Sequence, residues 1–394
     1  MPRAQLLIRL FYAFQVTVTM MLWMPIFYKY QQQMGLTDPQ IFQIQSIYYL
    51  SFCLLEIPTG FLADRLGHRG CMRVGAALHI LTHLLPVMAP TYQGFLWHWL
   101  LLALSRSLIS GAASAYLYNQ LEALGQSELY KEAEGRGRAW SLAAKVVGFF
   151  LTDQLVALSP SLPYTASAAS AVLSTLIAFQ FPKALPVAGA RPGSADTPRL
   201  GEVLRILLHS PALLVVIGQG VALFTLTRIV QVNLFQPLLL AQNYSQFGTV
   251  LAINTLCEAV GAAYPKALRR WMSDLAAVFW LTLAMGLCCW GLTLPGASNC
   301  FWWLNAFAVV TGLSYPIQRQ VMNEHIPDSR YRASLLSAES LVDRAVCAWV
   351  AHQLGSILQA GQMGSFLHYS ALASVATCLV LAPLYALLQL RRKG

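Results

Sequence analysis

The sequence predicts an all-α membrane protein with about twelve transmembrane helices in two six-helix bundles, and three observations predict it. First, 57% of the 394 residues are hydrophobic and only 11% are charged, whereas a soluble globular protein carries roughly 25% charged residues. Second, the apolar residues form runs of about 20, the length at which a helix crosses a bilayer. Lipid leaves only helices or closed barrels able to satisfy the backbone, and these runs are far too long for barrel strands. Third, the basic residues come in short bursts between the runs, as in the loops of a multi-pass membrane protein. The net charge of +10 is therefore spread along the chain and does not form a nucleic-acid patch. The expected surroundings are a lipid bilayer, with no nucleic acid as partner.

The runs fall near residues 6–30, 40–61, 73–90, 94–119, 138–158, 162–182, 211–238, 246–267, 275–295, 299–322, 333–358 and 365–389. The first is too long for the apolar core of a cleavable signal and lacks a small-residue cleavage site, so it is expected to persist as the first span. If the N-terminus is inside, one side collects Arg3, then Arg65, Arg69 and Arg73, then Lys131, Arg136 and Arg138. The same side collects Lys183 to Arg205, Lys266 to Arg270, Arg319 to Arg332, and finally Arg391, Arg392 and Lys393. The other side holds little beyond Lys29. This asymmetry predicts both termini in the cytoplasm.

The one long break, residues 183–210, begins rich in Pro, Gly, Ser and Ala, as a flexible cytoplasmic linker does, and a short surface helix is expected over 200–208. It separates an N-terminal bundle, residues 1–182, from a C-terminal bundle, residues 211–394, an expected pseudo-repeat. The eight cysteines show no metal spacing. His79 and His83 are one helical turn apart and could in principle share a metal, but the histidines do not repeat with carboxylates at ligand spacing, and no metal is expected. No phosphate-cradling glycine loop exists and no soluble domain is present to host catalysis. Neither a cofactor nor an enzyme is expected.

Between the second and third runs stands Gly60-Phe61-Leu62-Ala63-Asp64-Arg65-Leu66-Gly67-His68-Arg69-Gly70-Cys71-Met72-Arg73. Its glycines allow a sharp reversal, Asp64 can accept from N–H groups at a helix start, and its arginines suit anionic headgroups. The order Gly-x-Leu-Ala-Asp-Arg-x-Gly-x-Arg closely resembles the signature loop between helices 2 and 3 of the major facilitator superfamily. The second-half counterpart, residues 261–274, keeps a glycine, a proline and three basic residues but loses the acid. A further stretch, Ser110-Gly111-Ala112-Ala113-Ser114-Ala115-Tyr116-Leu117-Tyr118-Asn119, is similar to a facilitator subgroup of drug and metabolite exporters with a Ser-Gly-Ala-Asp-x-Ala-Leu-x-Tyr-Asp pattern. Glu56-Ile57-Pro58-Thr59-Gly60, Gln236-Pro237 and Ile326-Pro327 fit that subgroup too. Two acids of the pattern are here Ala113 and Asn119. If those acids carry protons in relatives, this chain uses others or couples differently.

The resemblance implies a secondary transporter of a small-molecule substrate, working as a monomer by alternating access, with helices 1, 4, 7 and 10 lining a central cavity. Ionisable groups inside spans cost about 2.5–3.5 kcal/mol each on insertion scales and so face a cavity or a partner. They are Arg106, Lys145, Asp153, Arg228, Glu258, Glu339, Asp343 and Arg344. On that helix placement Arg106 and Arg228 bring one guanidinium from each half to the path, where they would clamp a carboxylate or phosphate in planar fashion. The alternative is that Arg106 pairs with Asp153 or another buried acid and only ties helices together. Lys145 reads as a snorkelling, structural side chain.

Gln15, Tyr116, Asn119, Gln236, Tyr315 and Gln318, with Tyr12, fall on the same four helices and would supply neutral contacts for substrate. Glu258, Asp153 and Glu339 are the candidates for a coupling proton, which needs a carboxylate that alternates between dry and wet states. Glu56, Gly60, Asp64, Arg65, Gly67, Arg69 and Arg136 form the expected gate, with Asp64 and Arg65 latching the halves on the inner side. The expected function is proton-coupled efflux of an organic anion or zwitterion, such as a drug-like or natural-product molecule, by an antiporter of a bacterial inner membrane. The alternative is inward transport of a siderophore or nutrient by symport or facilitated diffusion.

Overall fold

A computed structural model describes residues 2–183, 200–326 and 331–393, and within them every regular element is helical. Residues 184–199, most of the expected linker, lie outside the described residues, as do the side chains of residues 56–58 and 60–64. Nine helical stretches among the described residues are long and apolar enough to cross a membrane, and Phe247–Ala263 is a shorter apolar helix. The chain divides into two compact units. Unit 1 comprises Met1–Ser194 with Gln246–Ala252, and unit 2 comprises Ala195–Ser245 with Ile253–Gly394.

Unit 1 starts with α1 (Pro2–Thr19), a short 3₁₀ turn (Met24–Ile26) and α2 (Phe27–Gln33). The first expected span is thus interrupted. Thr17 and Thr19 donate their hydroxyls back to the Ala13 and Gln15 carbonyls at 2.9 and 2.7 Å, a bond that competes with the helix ladder, and Pro25 has no N–H to continue it. Helix α3 (Asp38–Met88) merges the second and third expected spans and is broken only at Gly67, with φ +70° and ψ 158°. The expected loop over 60–73 is therefore helix on both sides of one residue in the left-handed region, where glycine is strongly favoured. Thr37 and Gln40 form a capping box at its start, which satisfies orphan N–H donors.

Helices α4 (Tyr92–Ala123), α5 (Tyr130–Leu158) and α6 (Leu162–Gln180) complete the unit. α3 packs along α4 and α6, and α1 packs on α5 and α6. Small residues set the α3–α4 approach: Ser105 Oγ donates to the Gly75 carbonyl at 2.7 Å, and a Cβ on Gly75 would meet Ile109 Cγ1 at 2.6 Å. Close helix contact of this kind replaces the hydrophobic drive that lipid lacks.

Unit 2 opens with α7 (Leu200–His209), where the sequence predicts a short helix, then α8 (Pro211–Arg228). A π-helical turn, Ile229–Leu234, leads into α9 (Phe235–Ala241). Pro237 cannot donate to the carbonyl four residues earlier, and the extra residue of the π turn absorbs that defect just after Arg228. Helix α10 (Phe247–Ala263) follows, then α11 (Pro265–Arg269), α12 (Asp274–Gly291), α13 (Ala297–His325), α14 (Arg332–Gln359) and α15 (Met363–Lys393). Charges lower the apolarity of α14, which carries Glu339, Asp343 and Arg344 mid-length.

Where α10 meets α13 the backbones nearly touch. A Cβ on Gly312 would collide with the Glu258 carbonyl oxygen and stand 2.8 Å from Ala262 N. Gly312→Val is expected to lower the unfolding midpoint in detergent, in line with about 1–3 kcal/mol of overpacking. Gly135→Ala is the control, because a Cβ there meets nothing within 4 Å, and its midpoint should hold or rise. Equal midpoints for the two variants would refute the close approach.

Candidate functional site

Three helices of unit 1 turn polar stripes toward one cavity of 410 Å³. Helix α4 supplies Arg106, Ser110 and Ser114, spaced by four residues, and α5 supplies Glu134, Arg138, Ser141 and Lys145, spaced by three or four. Such spacing places side chains on one helical face. Helix α1 adds Gln15 and Thr19, and His79 closes the wall from α3. Among the described residues, the lining therefore holds three cationic side chains, Arg106, Arg138 and Lys145, against the single carboxylate of Glu134.

The carboxylate is already committed. Glu134 Oε1 accepts from Ser114 Oγ at 3.0 Å and from Arg138 Nε at 3.3 Å. Ser141 donates to the Gln15 carbonyl at 3.1 Å, which fixes α1 against α5. Arg106 is exposed to the cavity and forms no ion pair among the described residues. Asp153, its expected structural partner, is engaged elsewhere: it accepts from Gly248 N and Thr249 N at 2.8 Å and from Thr249 Oγ1 at 2.7 Å. It thus caps the start of α10 within unit 1, as a carboxylate at a helix N-terminus does.

Unit 2 treats its charges differently. Glu339 and Asp343 sit four residues apart on α14 and face two arginines. Arg228 holds Asp343 Oδ2 through Nε and Nη2, each at 3.0 Å. Arg319 holds Glu339 Oε2 at 2.7 Å and lies over the rings of Phe224 and Tyr315, 5.3 and 5.5 Å from their centroids. The Glu339 side chain is 0% exposed, and its Oε1 has no hydrogen-bond partner among the described residues. Gly220 makes room for it, since a Cβ there would collide with Glu339 Oε1 and Gln318 Nε2. Gln318 donates to the Val216 carbonyl at 3.0 Å.

The sequence-predicted residues separate accordingly. Arg106 and Gln15 share the unit 1 cavity, whereas Tyr116 and Asn119 line a different pocket beside Gly67. Tyr116 is buried and donates to the Pro182 carbonyl at 2.8 Å. Tyr315, Gln318 and Glu339 gather around Arg319, while Gln236 is buried in α9 and Glu258 is half-buried in α10. Among the gate residues, Arg136 pairs with Glu132 at 2.6 Å on an exposed face, Arg65 is exposed and Arg69 half-buried. The side chains of Glu56 and Asp64, and residue Gly60, lie outside the described residues.

Sequence reasoning passed over Arg319, Glu134 and Arg138, which position along the chain assigns to cytoplasmic segments, and took Lys145 as structural. The signal was present as the four-residue repeat of Glu134, Arg138 and Ser141-Leu142, which continues to Lys145. His79 and His83 stack at 5.2 Å between ring centroids, and His83 Nδ1 accepts from Trp23 Nε1 at 3.1 Å. Among the described residues no group of three or more His, Cys, Asp or Glu side chains could hold a metal ion.

The Major Facilitator Superfamily model matches residues 6–338. No curated protein matches the chain by sequence. Among solved structures, the nucleoside transporter NupG is similar with a TM-score of 0.77 at 13% identity, over 97% of this chain and 99% of that one. The POT family transporter PepTSo gives 0.76 at 13% identity, over 98% of each chain. A POT family transporter in complex with 5-aminolevulinic acid gives 0.75 at 12% identity, over 98% of this chain and 96% of that one. Likeness at such low identity speaks to fold.

The unit 2 ion pairs make a stability prediction. Removing one member of a buried pair costs about 3–5 kcal/mol, whereas replacing both with apolar groups is often neutral. Glu339→Leu is therefore expected to lower the unfolding midpoint in detergent strongly, and Arg319→Met combined with Glu339→Leu to recover most of it. An additive double variant would show that the pair is not coupled.

Proposed function

Because the chain belongs to the major facilitator superfamily and is a membrane transporter of that type, we propose that it moves a small organic anion or zwitterion by alternating access. The observation that carries this reading is Arg106, exposed in a cavity of 410 Å³ with a cationic excess and without an ion-pair partner among the described residues. A guanidinium left without a counter-charge in a span is a standing demand for one, and a planar carboxylate or a phosphate answers it with paired hydrogen bonds. Ser110, Ser114 and Gln15 add neutral groups on the same walls. The cavity has the size of a small-molecule site. The zwitterion named in one structural neighbour, 5-aminolevulinic acid, belongs to the same chemical class.

Proton coupling, in this proposal, runs through Glu339. Its carboxylate is fully enclosed, touches Arg319 with one oxygen and leaves the other unpartnered among the described residues. Protonation would release Arg319 from the pair, giving the charge a second position. Asp153 serves as a helix cap in this reading, and Glu258 is the remaining alternative. The same reading puts both termini in the cytoplasm of a bacterial inner membrane, an orientation the basic bursts support, and the gate at the Gly67 break. Two six-helix bundles, residues 1–182 and 211–394, would rock as a monomer. The resemblance of the helix 4 stretch to exporters supports efflux. Inward movement of a nutrient is the second reading.

Purified protein in proteoliposomes with an imposed pH gradient tests the proposal. 5-Aminolevulinic acid, a dicarboxylate and a phosphate monoester serve as solutes, and a neutral nucleoside as control. The expected result is gradient-driven movement of at least one charged solute and none of the control. Arg106→Ala should reduce that movement by about 10-fold or more, since a hydrogen bond to a charged group contributes about 1.5–3 kcal/mol, with the unfolding midpoint unchanged. Glu339→Gln should abolish the gradient dependence but spare binding. Full transport by Arg106→Ala would overturn the substrate assignment.

A further inference from the structure

Unit 1 holds a second cationic pocket, away from Arg106. It has a volume of 390 Å³ and sits at the Gly67 break of α3, against the end of α4 and Lys183. Arg69, Arg73 and Lys183 line it, and no carboxylate does among the described residues. We infer that this pocket binds a phosphate-bearing anion, either a phospholipid headgroup or a free phosphate compound, independently of the transported substrate.

The donors around the pocket are unfulfilled. Arg69 Nε and Gln120 Nε2 are buried without a hydrogen-bond partner among the described residues, as is His68 Nδ1, and all three residues line the pocket. Buried polar groups left without a partner are rare in native proteins, and here three converge on one space, two of them N–H donors. Arg73 is pre-set for the task. Its Nε and Nη2 donate to the Ala178 and Phe179 carbonyls at 3.2 and 2.9 Å, and its guanidinium lies 4.6 Å from the Phe179 ring centroid. Arg69 stands one helical turn before it, so the two like charges repel until an anion lies between them. Guanidinium pairs beside an ammonium suit a tetrahedral oxyanion with several acceptor oxygens.

Asn119 explains why the counter-charge must come from outside. It lines this pocket at the position where the exporter pattern carries an aspartate. An aspartate there would neutralise part of the pocket internally, whereas the amide leaves the three cations without an acid among the described lining residues. Gly67, at φ +70°, brings the α3 segment over this space. The site is therefore a property of this chain's own departure from the pattern.

The test has two arms and uses the full-length protein. In the lipid arm, native mass spectrometry compares retention of phosphatidylglycerol with phosphatidylcholine. In the soluble arm, the unfolding midpoint in detergent is followed with inorganic phosphate or pyrophosphate against chloride at matched ionic strength. The expected result is selective phosphatidylglycerol retention, about 5-fold over phosphatidylcholine, or a phosphate-specific rise in midpoint. The first outcome identifies a headgroup and the second a free phosphate. Asn119→Asp, nearly isosteric, should remove most of the selectivity, and Arg69→Gln should do the same. Arg106→Ala should retain it, which separates this pocket from the transport cavity whatever becomes of the transport proposal. Absence of selectivity in both arms, or wild-type selectivity in Asn119→Asp, would overturn the inference.

Discussion

A charge inside a membrane span must have a partner or a water-lined space, because hydrocarbon supplies neither counter-charge nor hydrogen bonds. The two units meet this constraint in opposite ways. Unit 2 neutralises its charges internally: two acids one turn apart on α14 receive one arginine each from α8 and α13. Unit 1 gathers Arg106, Arg138 and Lys145 around a cavity with one carboxylate, and that carboxylate is already bonded to Ser114 and Arg138. Arg106, without an ion pair among the described residues, is the charge left for a ligand in the proposed reading.

The same logic governs the backbone. Every N–H and C=O in lipid needs a partner, so irregular backbone is confined to places where something local compensates. The Thr17 and Thr19 hydroxyls bond back to carbonyls where the first span breaks, and the π turn after Arg228 takes up the missing donor of Pro237. Glycines do complementary work. Gly220 leaves space for the Glu339 carboxylate, and Gly312 lets α13 lie against the Glu258 carbonyl.

The helical spans and their order were legible in the sequence, because hydropathy reports directly how much chain can stay in lipid. Residues 200–208 also read correctly as a short helix, realised as Leu200–His209. Hydropathy does not report which face of a helix looks inward, and there the reading fell short. Arg319 and Arg138 were read only as charges between spans and Glu134 was not singled out, whereas Glu134 and Arg138 line the cavity and Arg319 holds Glu339. The break in α3 was narrower than the fourteen-residue stretch suggested. The chain is helical on both sides, and Gly67 alone departs from helical geometry. Tyr116 and Asn119 share helix α4 with Arg106, yet they lie about three to four turns further along, which carries them to the pocket at Gly67 instead.

This asymmetry assigns different tasks to the two units in the proposed mechanism. A cation without a partner can capture an anion at once, since nothing must be displaced first. A cation held by a buried carboxylate can act only after that carboxylate is protonated or drawn away, so its availability depends on protons. Recognition therefore belongs to the Arg106 cavity, and energy coupling to the Arg319–Glu339 pair, whose acid is enclosed and whose base is partly exposed. The division also bears on the missing acids at Ala113 and Asn119. With no carboxylate at either position on α4, the proposed mechanism gives coupling to Glu339 of the other half.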